Sequence, residues 1–162
     1  MAKAKRKAAK RGGGGSSRQV DALALLKQDH DKVKKAFRQF EKMEPEDPQA
    51  QQLAAQTLAD LKLHAAVEEE IFYPAVRMSV DDDELMNEAE VEHKSAKLLM
   101  QDLESMKPGD PMYAATFTVL GEYVQHHVQE EEGEMFKKAR KAKVDLRALG
   151  EQIAARKGSG KP

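Results

Sequence analysis

Cysteine is absent from this chain of 162 residues. Disulfide bonds and thiolate ligation are therefore excluded, and with them zinc fingers and iron–sulfur clusters. Any bound metal must be held by histidine and carboxylate side chains. Tryptophan is also absent, and aromatic residues make up only 5% of the chain, whereas charged residues make up 34%. This composition favours amphipathic helices over strands and predicts an all-α fold.

Long apolar runs are missing as well. No segment approaches the roughly 18 apolar residues that a membrane-spanning helix needs, and the N-terminus lacks the apolar part of a signal peptide. We therefore expect a cytoplasmic location and no membrane partner. The length predicts one domain with one core. We place this domain at residues 20–143, between a basic flexible arm at 1–19 and a short helix with a flexible tail at 144–162.

The basic arm carries seven positive side chains and no acidic one, so the rest of the chain has a net charge of −8 although the whole chain has −1. Its basic residues are Lys3, Lys5, Arg6, Lys7, Lys10, Arg11 and Arg18. The glycine and serine run at 12–17 predicts a flexible linker. We favour a solvated, solubilising tail, and contact of residues 3–18 with nucleic acid through counterion release is the alternative.

Apolar residues recur at helical spacing along four long segments. They predict helices at about 21–43, from 48 to near 78, from 81–84 to before 108, and from 111 onward, with a short helix at about 145–155. The pairs Asp47-Pro48 and Asp110-Pro111 each combine an N-cap residue with a proline at the first helical position. Short connections between the long helices predict an up-down-up-down four-helix bundle.

An internal repeat of 63 residues relates the two halves of this bundle. The same shift maps Asp47-Pro48 onto Asp110-Pro111 and superposes three pairs of polar residues that lie on the apolar stripes. These pairs are His30 with His93, His64 with His127, and Glu68 with Glu131. The chain is therefore predicted to be two helical hairpins related by an approximate two-fold axis.

The six repeated polar residues predict a two-metal site. His64 with Glu68 and His127 with Glu131 are spaced four residues apart, which puts each pair on one face of its helix. His30 and His93 lie on the other two helices. Histidines that merely pack in the core would be the simpler interpretation. Two buried carboxylates without a Lys or Arg partner would cost several kcal/mol, however, and bound cations remove that cost.

Two assignments stay open at this stage. His126 with Glu130 has the same spacing as His127 with Glu131. The apolar stripe and the repeat favour the latter pair, and we expect His126 to be exposed. Tyr123 precedes His127 by one turn and either contributes a hydroxyl to the site or packs at the end of the bundle.

At these residues the sequence resembles the hemerythrin-like HHE cation-binding family. The resemblance rests on His30 in QDHD, the segment HAAVEEEIFYP at 64–74, His93, and HHVQEEEGEMF at 126–136, and it covers about residues 20–140. It implies a carboxylate-bridged non-haem centre of two iron ions with a bridging oxo or hydroxo group. Oxygen-carrying hemerythrins have a further histidine where this chain has Lys97, so reversible oxygen transport is not the role we expect.

The function that we expect from the resemblance is iron binding with sensing of, or response to, oxygen, nitric oxide or oxidative stress. The alternative is a di-iron enzyme that decomposes peroxide or oxidises Fe(II). The N/O donor set does not by itself select iron, because copper or zinc would bind such ligands at least as tightly.

Overall fold

A computed structural model of the protein describes residues 21–159, and every regular element in that range is helical. The elements are α1 (Ala22–Phe40), α2 (Pro48–Val67), a first π-turn (Glu68–Phe72), α3 (Tyr73–Ser79), α4 (Asp83–Ser105), α5 (Pro111–Glu130), a second π-turn (Glu131–Met135), α6 (Phe136–Lys141) and α7 (Leu146–Gly158). The all-α prediction is confirmed. The predicted basic arm at 1–19 lies outside the described residues.

Aspartate side chains cap the helices at their N-termini. Asp47 accepts a hydrogen bond from the backbone N–H of Gln49, and Asp110 accepts one from Met112, with a proline at the first helical position in both cases. Such a cap satisfies a backbone donor that would otherwise lack a partner. Both Asp-Pro starts predicted from the sequence are confirmed.

Four helical rods form the bundle. Each π-turn joins two α-helices without a break, so α2 continues into α3 and α5 continues into α6. The chain turns back within a few residues between successive rods. α1 packs against α2 and α5, and α4 packs against the same two helices. This is the up-down-up-down bundle expected from the sequence.

Two apolar clusters fill the bundle and leave a polar layer between them. One cluster contains Leu26, Phe72, Met86 and Phe136, and the other is built around Phe117. At the latter end α1 and α5 approach closely. A Cβ added at Gly121 would lie 2.9 Å from Cδ1 of Phe37. The described part of the chain has no helix that is both long and apolar enough to span a membrane.

Two helix ends differ from those expected. α1 ends at Phe40 rather than near residue 43, because residues 41–43 form a turn. α7 continues to Gly158, three residues beyond the predicted end, and packs against α1. Arg156 and Lys157 were expected in the tail but are helical, and they form ion pairs with Glu70 and Asp29 of the bundle. These contacts join the last turn of α7 to the bundle.

Candidate metal centre

The polar layer brings together the six side chains singled out by the repeat. They come from all four rods and comprise His30 on α1, His64 on α2, His93 on α4, His127 on α5, and Glu68 and Glu131 at the first positions of the two π-turns. Five of them are buried, and the His127 side chain is only 12% exposed. Their convergence in one interior layer is the juxtaposition that the sequence predicted.

The histidines form two pairs, and Glu68 lies between them. Nε2 of His30 is 3.1 Å from Nε2 of His64, and Nε2 of His93 is 3.2 Å from Nε2 of His127. Oε1 of Glu68 is 2.9 Å from Nε2 of His64, whereas its Oε2 is 3.3 Å from Nε2 of His93. One carboxylate therefore presents a separate oxygen to each pair of imidazoles.

Glu131 lies closer to one pair than to the other. Its Oε2 is 3.1 Å from Nε2 of His30 and 4.0 Å from Nε2 of His127. Two ligands that each lie ~2.1 Å from one ion are themselves separated by roughly 3.0 to 3.4 Å in tetrahedral or octahedral geometry. Most of the interatomic distances in this layer fall near that range.

The carboxylates lack the partners that buried charges require. Among residues 21–159, none of the four oxygens of Glu68 and Glu131 accepts a hydrogen bond, although all four are buried. Within residues 21–159 their ion-pair neighbours are histidines only, without a lysine or arginine. Because an isolated buried carboxylate is costly, these oxygens fit a site for cations.

Four outer carboxylates orient the four imidazoles. The Nδ1–H of each histidine donates to an acidic side chain at 2.7 to 3.3 Å, which leaves Nε2 facing the interior. The pairs are His30 with Glu132, His64 with Asp29, His93 with Glu69, and His127 with Glu92. A neutral imidazole that donates through Nδ1 has a lone pair on Nε2, which is the tautomer that a metal requires.

The inner carboxylates raise the pKa values of the His30 and His64 imidazoles that face them. Burial opposes a charge on His30, but the Glu131 and Glu68 carboxylates outweigh this effect and raise the pKa of His30 to about 10. The pKa of His64 is raised to about 9 against the same effect of burial, by Glu68 and Asp29. Burial acts to raise the pKa of Glu68, yet His64 and its neighbours lower it well below its usual range.

Tyr73 is a further polar side chain at the centre. Its hydroxyl lies 2.9 Å from Nε2 of His93 and 3.2 Å from Nε2 of His127. Burial and the carboxylates of Glu131 and Glu68 raise the pKa of Tyr73 well above its usual value. The repeat places Phe136 at the equivalent position in the other half, where its ring stacks on His30 at a centroid distance of 5.9 Å.

A small apolar cavity adjoins the four imidazoles. Its volume is about 40 Å³, and Leu61, Ala96 and Met100 contribute to its lining together with the histidines. Glu92 and Tyr123 also line it. A single water needs ~10–15 Å³ measured in this way, so the cavity has room for a molecule of two or three heavy atoms.

The structure decides between the sequence alternatives. His126 is exposed, with 63% of its side chain accessible, and lies near Glu130, whereas His127 and Glu131 face the interior. Tyr123 is half-exposed at the cavity and does not reach the imidazoles through a described hydrogen bond. Sequence analysis missed Tyr73, and it also missed the outer roles of Asp29 and Glu92.

The chain is similar to known proteins in its sequence and in its fold. A family model described as the hemerythrin HHE cation binding domain matches residues 21–139. A protein named DNA nickase from Nostoc sp. (strain PCC 7120) is 28% identical over 124 residues, which is 76% of this chain and 34% of the relative. The chain therefore spans about a third of the length of that relative. The crystal structure of a hemerythrin HHE cation binding domain-containing protein from Mycobacterium kansasii superposes with a TM-score of 0.73 at 24% identity, over 85% of each chain, and shows the same fold.

Proposed function

The chain belongs to the hemerythrin HHE cation-binding domain family, and we propose that its polar layer binds two iron ions as a non-haem centre. The observation that carries this proposal is the position of Glu68, whose two oxygens face two different pairs of imidazoles. His30, His64 and Glu131 would hold one ion with Glu68, and His93 and His127 would hold the other. Iron is chosen over other metals on the family alone, because the donor set also suits zinc and copper.

Tyr73 is the seventh side chain in this proposal. Its hydroxyl is within 3.2 Å of Nε2 of both His93 and His127, so it is available as an additional oxygen ligand on that side only. The other side has the apolar ring of Phe136 at the equivalent place. The two ions would therefore have different ligand sets.

The protein's own residues orient the ligands and restrict access to the centre. The outer carboxylates hold each imidazole with its Nε2 lone pair directed inward, and the apolar cavity beside them excludes large molecules. Bound iron would supply redox chemistry and coordination positions for a small molecule such as oxygen, nitric oxide or peroxide. We propose that the protein senses or responds to a molecule of this class.

Metal analysis with a matched pair of variants tests the centre. The full chain is loaded anaerobically with Fe(II), and the metal bound per chain is measured for the wild type, Glu68→Gln and Glu70→Gln. We expect two irons in the wild type and in Glu70→Gln, since Glu70 is exposed and paired with Arg156. Glu68→Gln is expected to bind at most one. Two tightly held irons in Glu68→Gln would refute the bridging role, and one zinc in protein purified without added metal would refute iron.

Spectra test the sensing role separately. The reduced, iron-loaded protein is titrated with oxygen and with nitric oxide while its absorption bands are recorded. We expect new iron-centred bands with at least one of these ligands. Unchanged spectra with both would leave a metal-binding protein without the proposed response.

The second candidate is an enzyme that decomposes peroxide or oxidises Fe(II). The cavity favours it, because its volume of about 40 Å³ matches a molecule as small as peroxide and all four imidazoles line it. Steady-state oxygen evolution from peroxide, abolished in Glu68→Gln and retained in Glu70→Gln, would support this candidate. Turnover that is equal in both variants would contradict it.

The activity named for the Nostoc relative is not part of this proposal. The inner carboxylates are fully buried, and the adjoining cavity is far smaller than a nucleotide. A DNA strand could not approach the centre without opening the bundle. The matched 124 residues are only 34% of the relative, so its other segments have room for the activity in its name.

A further inference from the structure

Each outer carboxylate has a second oxygen, and three of the four direct that oxygen to a lysine. The three lysine pairs are Asp29 with Lys157, Glu69 with Lys97, and Glu132 with Lys27. Each of these carboxylates accepts a hydrogen bond from an imidazole and also forms an ion pair with a lysine ammonium group. Three of the four outer carboxylates thus have a cation beside their second oxygen.

Glu92 is the exception. Its Oε2 accepts from Nδ1 of His127 at 2.7 Å, but its Oε1 faces Nε2 of His126 at 3.4 Å. Oε1 of Glu130 lies 3.2 Å from the same nitrogen of His126. Where the other three carboxylates have an ammonium group, Glu92 has an imidazole and a second carboxylate.

This cluster has an excess of negative charge. Glu92 and Glu130 have no lysine or arginine partner among residues 21–159, and Glu88 and Glu134 add to the negative potential at Glu130. The two carboxylates are also partly buried, since the side chains of Glu92 and Glu130 are only 16% and 35% exposed. Self-repulsion of this kind favours binding of a small cation.

We propose that Glu92, His126 and Glu130 form a third, half-exposed site for a first-row divalent cation. His126 and Glu130 have the same four-residue spacing as both interior pairs, and Glu92 completes the set from the neighbouring helix. The three ligand atoms lie within 4.8 Å of one another. The separations of 3.2 and 3.4 Å between Nε2 of His126 and the two carboxylates fall near the roughly 3.0 to 3.4 Å expected for ligands of one ion at ~2.1 Å.

The location of this site assigns it a role in loading the buried centre. Glu92 contacts His126 on the outside and His127 on the inside, and it also lines the cavity that reaches the four imidazoles. An ion held at the surface cluster is thus one carboxylate away from the His93 and His127 pair. This loading role rests on the proposed two-metal function, whereas binding at the outer site does not.

Zinc stoichiometry tests the site in the full chain. The protein is stripped of metal with a chelator and dialysed against low-micromolar free zinc, and bound zinc is measured for three proteins. These are the wild type, the double variant His126→Gln/Glu130→Gln, and the control Glu122→Gln. Glu122 is exposed one turn before His126, so the control removes the same single charge from the same helix.

We expect the wild type and Glu122→Gln to bind one more zinc than the double variant. Equal zinc content in all three proteins would overturn the site. The zinc that remains in the double variant reports on the buried centre separately. If fewer than two ions remain while the difference of one persists, the two-metal proposal fails and the outer site stands.

Loading kinetics test the role of the site. The rate at which the buried centre takes up Fe(II) is followed by its absorption after mixing. We expect the double variant to load at least about tenfold more slowly than Glu122→Gln, because a local negative site concentrates cations at the entrance. Equal rates would overturn the loading role even if the third ion binds.

Discussion

Raising the pH is expected to destabilise the protein when it holds no metal. His30 and His64 have pKa values raised from 6.5 to about 10 and about 9 in the folded state. Stability that comes from a raised pKa is fully present below the unfolded value and is lost as the pH rises through the folded value. The free energy of unfolding should therefore fall from about pH 6.5 up to about pH 9 to 10.

The expected slope follows from the number of retained protons. Each proton that the folded state keeps and the unfolded state releases changes the free energy of unfolding by about 1.4 kcal/mol per pH unit. Two such protons, on His30 and His64, give an upper limit of about 3 kcal/mol per pH unit in the middle of the window. Because a domain of this size has a total stability of only ~5–15 kcal/mol, two pH units should produce a large loss.

Urea denaturation followed by circular dichroism measures this loss. The metal-free protein is unfolded in the presence of a chelator at several pH values across the window. As a control, Glu68→Gln/Glu131→Gln lacks the two charges that retain the protons and should have a flatter dependence. Zinc binding near neutral pH should also release protons, because the metal requires unprotonated Nε2 atoms. A wild-type stability that is constant or increases between pH 6.5 and pH 9 would refute this reasoning.

Three further predictions concern single side chains. Tyr73→Phe should keep the fold and lower the free energy of unfolding by about 1 kcal/mol. It should also alter the absorption spectrum of the iron-loaded protein, whereas Tyr113→Phe, in the other core cluster, should leave that spectrum unchanged. Identical spectra for both variants would exclude Tyr73 as a ligand. Gly121→Ala brings a Cβ to 2.9 Å from Phe37. Overpacking of about 1–3 kcal/mol should outweigh the gain in helix propensity of about 1 kcal/mol, so the urea midpoint should fall. A higher urea midpoint would contradict the close packing. Asp47→Ala removes the N-cap of α2 and should lower the free energy of unfolding by about 1 kcal/mol in the same titration; an unchanged midpoint would mean that the cap is not stabilising.

The bundle and its polar layer were accessible from the sequence because both depend on regular spacing. His64 and Glu68 are polar residues at positions where the helical period demands apolar ones. The repeat of 63 residues identified His127 and Glu131 rather than His126 and Glu130 as the interior pair. The period of an α-helix and the cost of burying charge are enough to predict these positions.

The π-turns explain why Tyr73 was missed. An α-helical period that continues past Glu68 places residues 71, 72 and 75 on the inner face. The first π-turn adds one residue to that period, so Phe72, Tyr73 and Val76 are buried instead. Local propensity carries no clear signal for such a turn, although π-turns are frequent at functional sites.

The outer carboxylates follow the repeat, but this was visible only after the contacts were known. The same shift of 63 residues maps Asp29 onto Glu92 and Glu69 onto Glu132. The contacts obey it as well, since Asp29 orients His64 and Glu92 orients His127. The acidic residues beside each histidine could have been paired by the 63-residue shift. Exposed carboxylates are so common, however, that the presence of an Asp or Glu does not by itself indicate a role.

The two halves of the polar layer have the same residue types at the six inner positions but differ in what surrounds them. Tyr73 in one half corresponds to Phe136 in the other, so among the described residues a tyrosine hydroxyl lies beside the His93 and His127 pair and an apolar ring beside His30. α7 occurs once, and its Lys157 neutralises the outer carboxylate beside His64, while Glu92 at the equivalent place faces His126 and an acidic surface. We propose that ions and small ligands exchange at the His127 edge of the centre, because Glu92 is the one outer carboxylate without a lysine partner among residues 21–159.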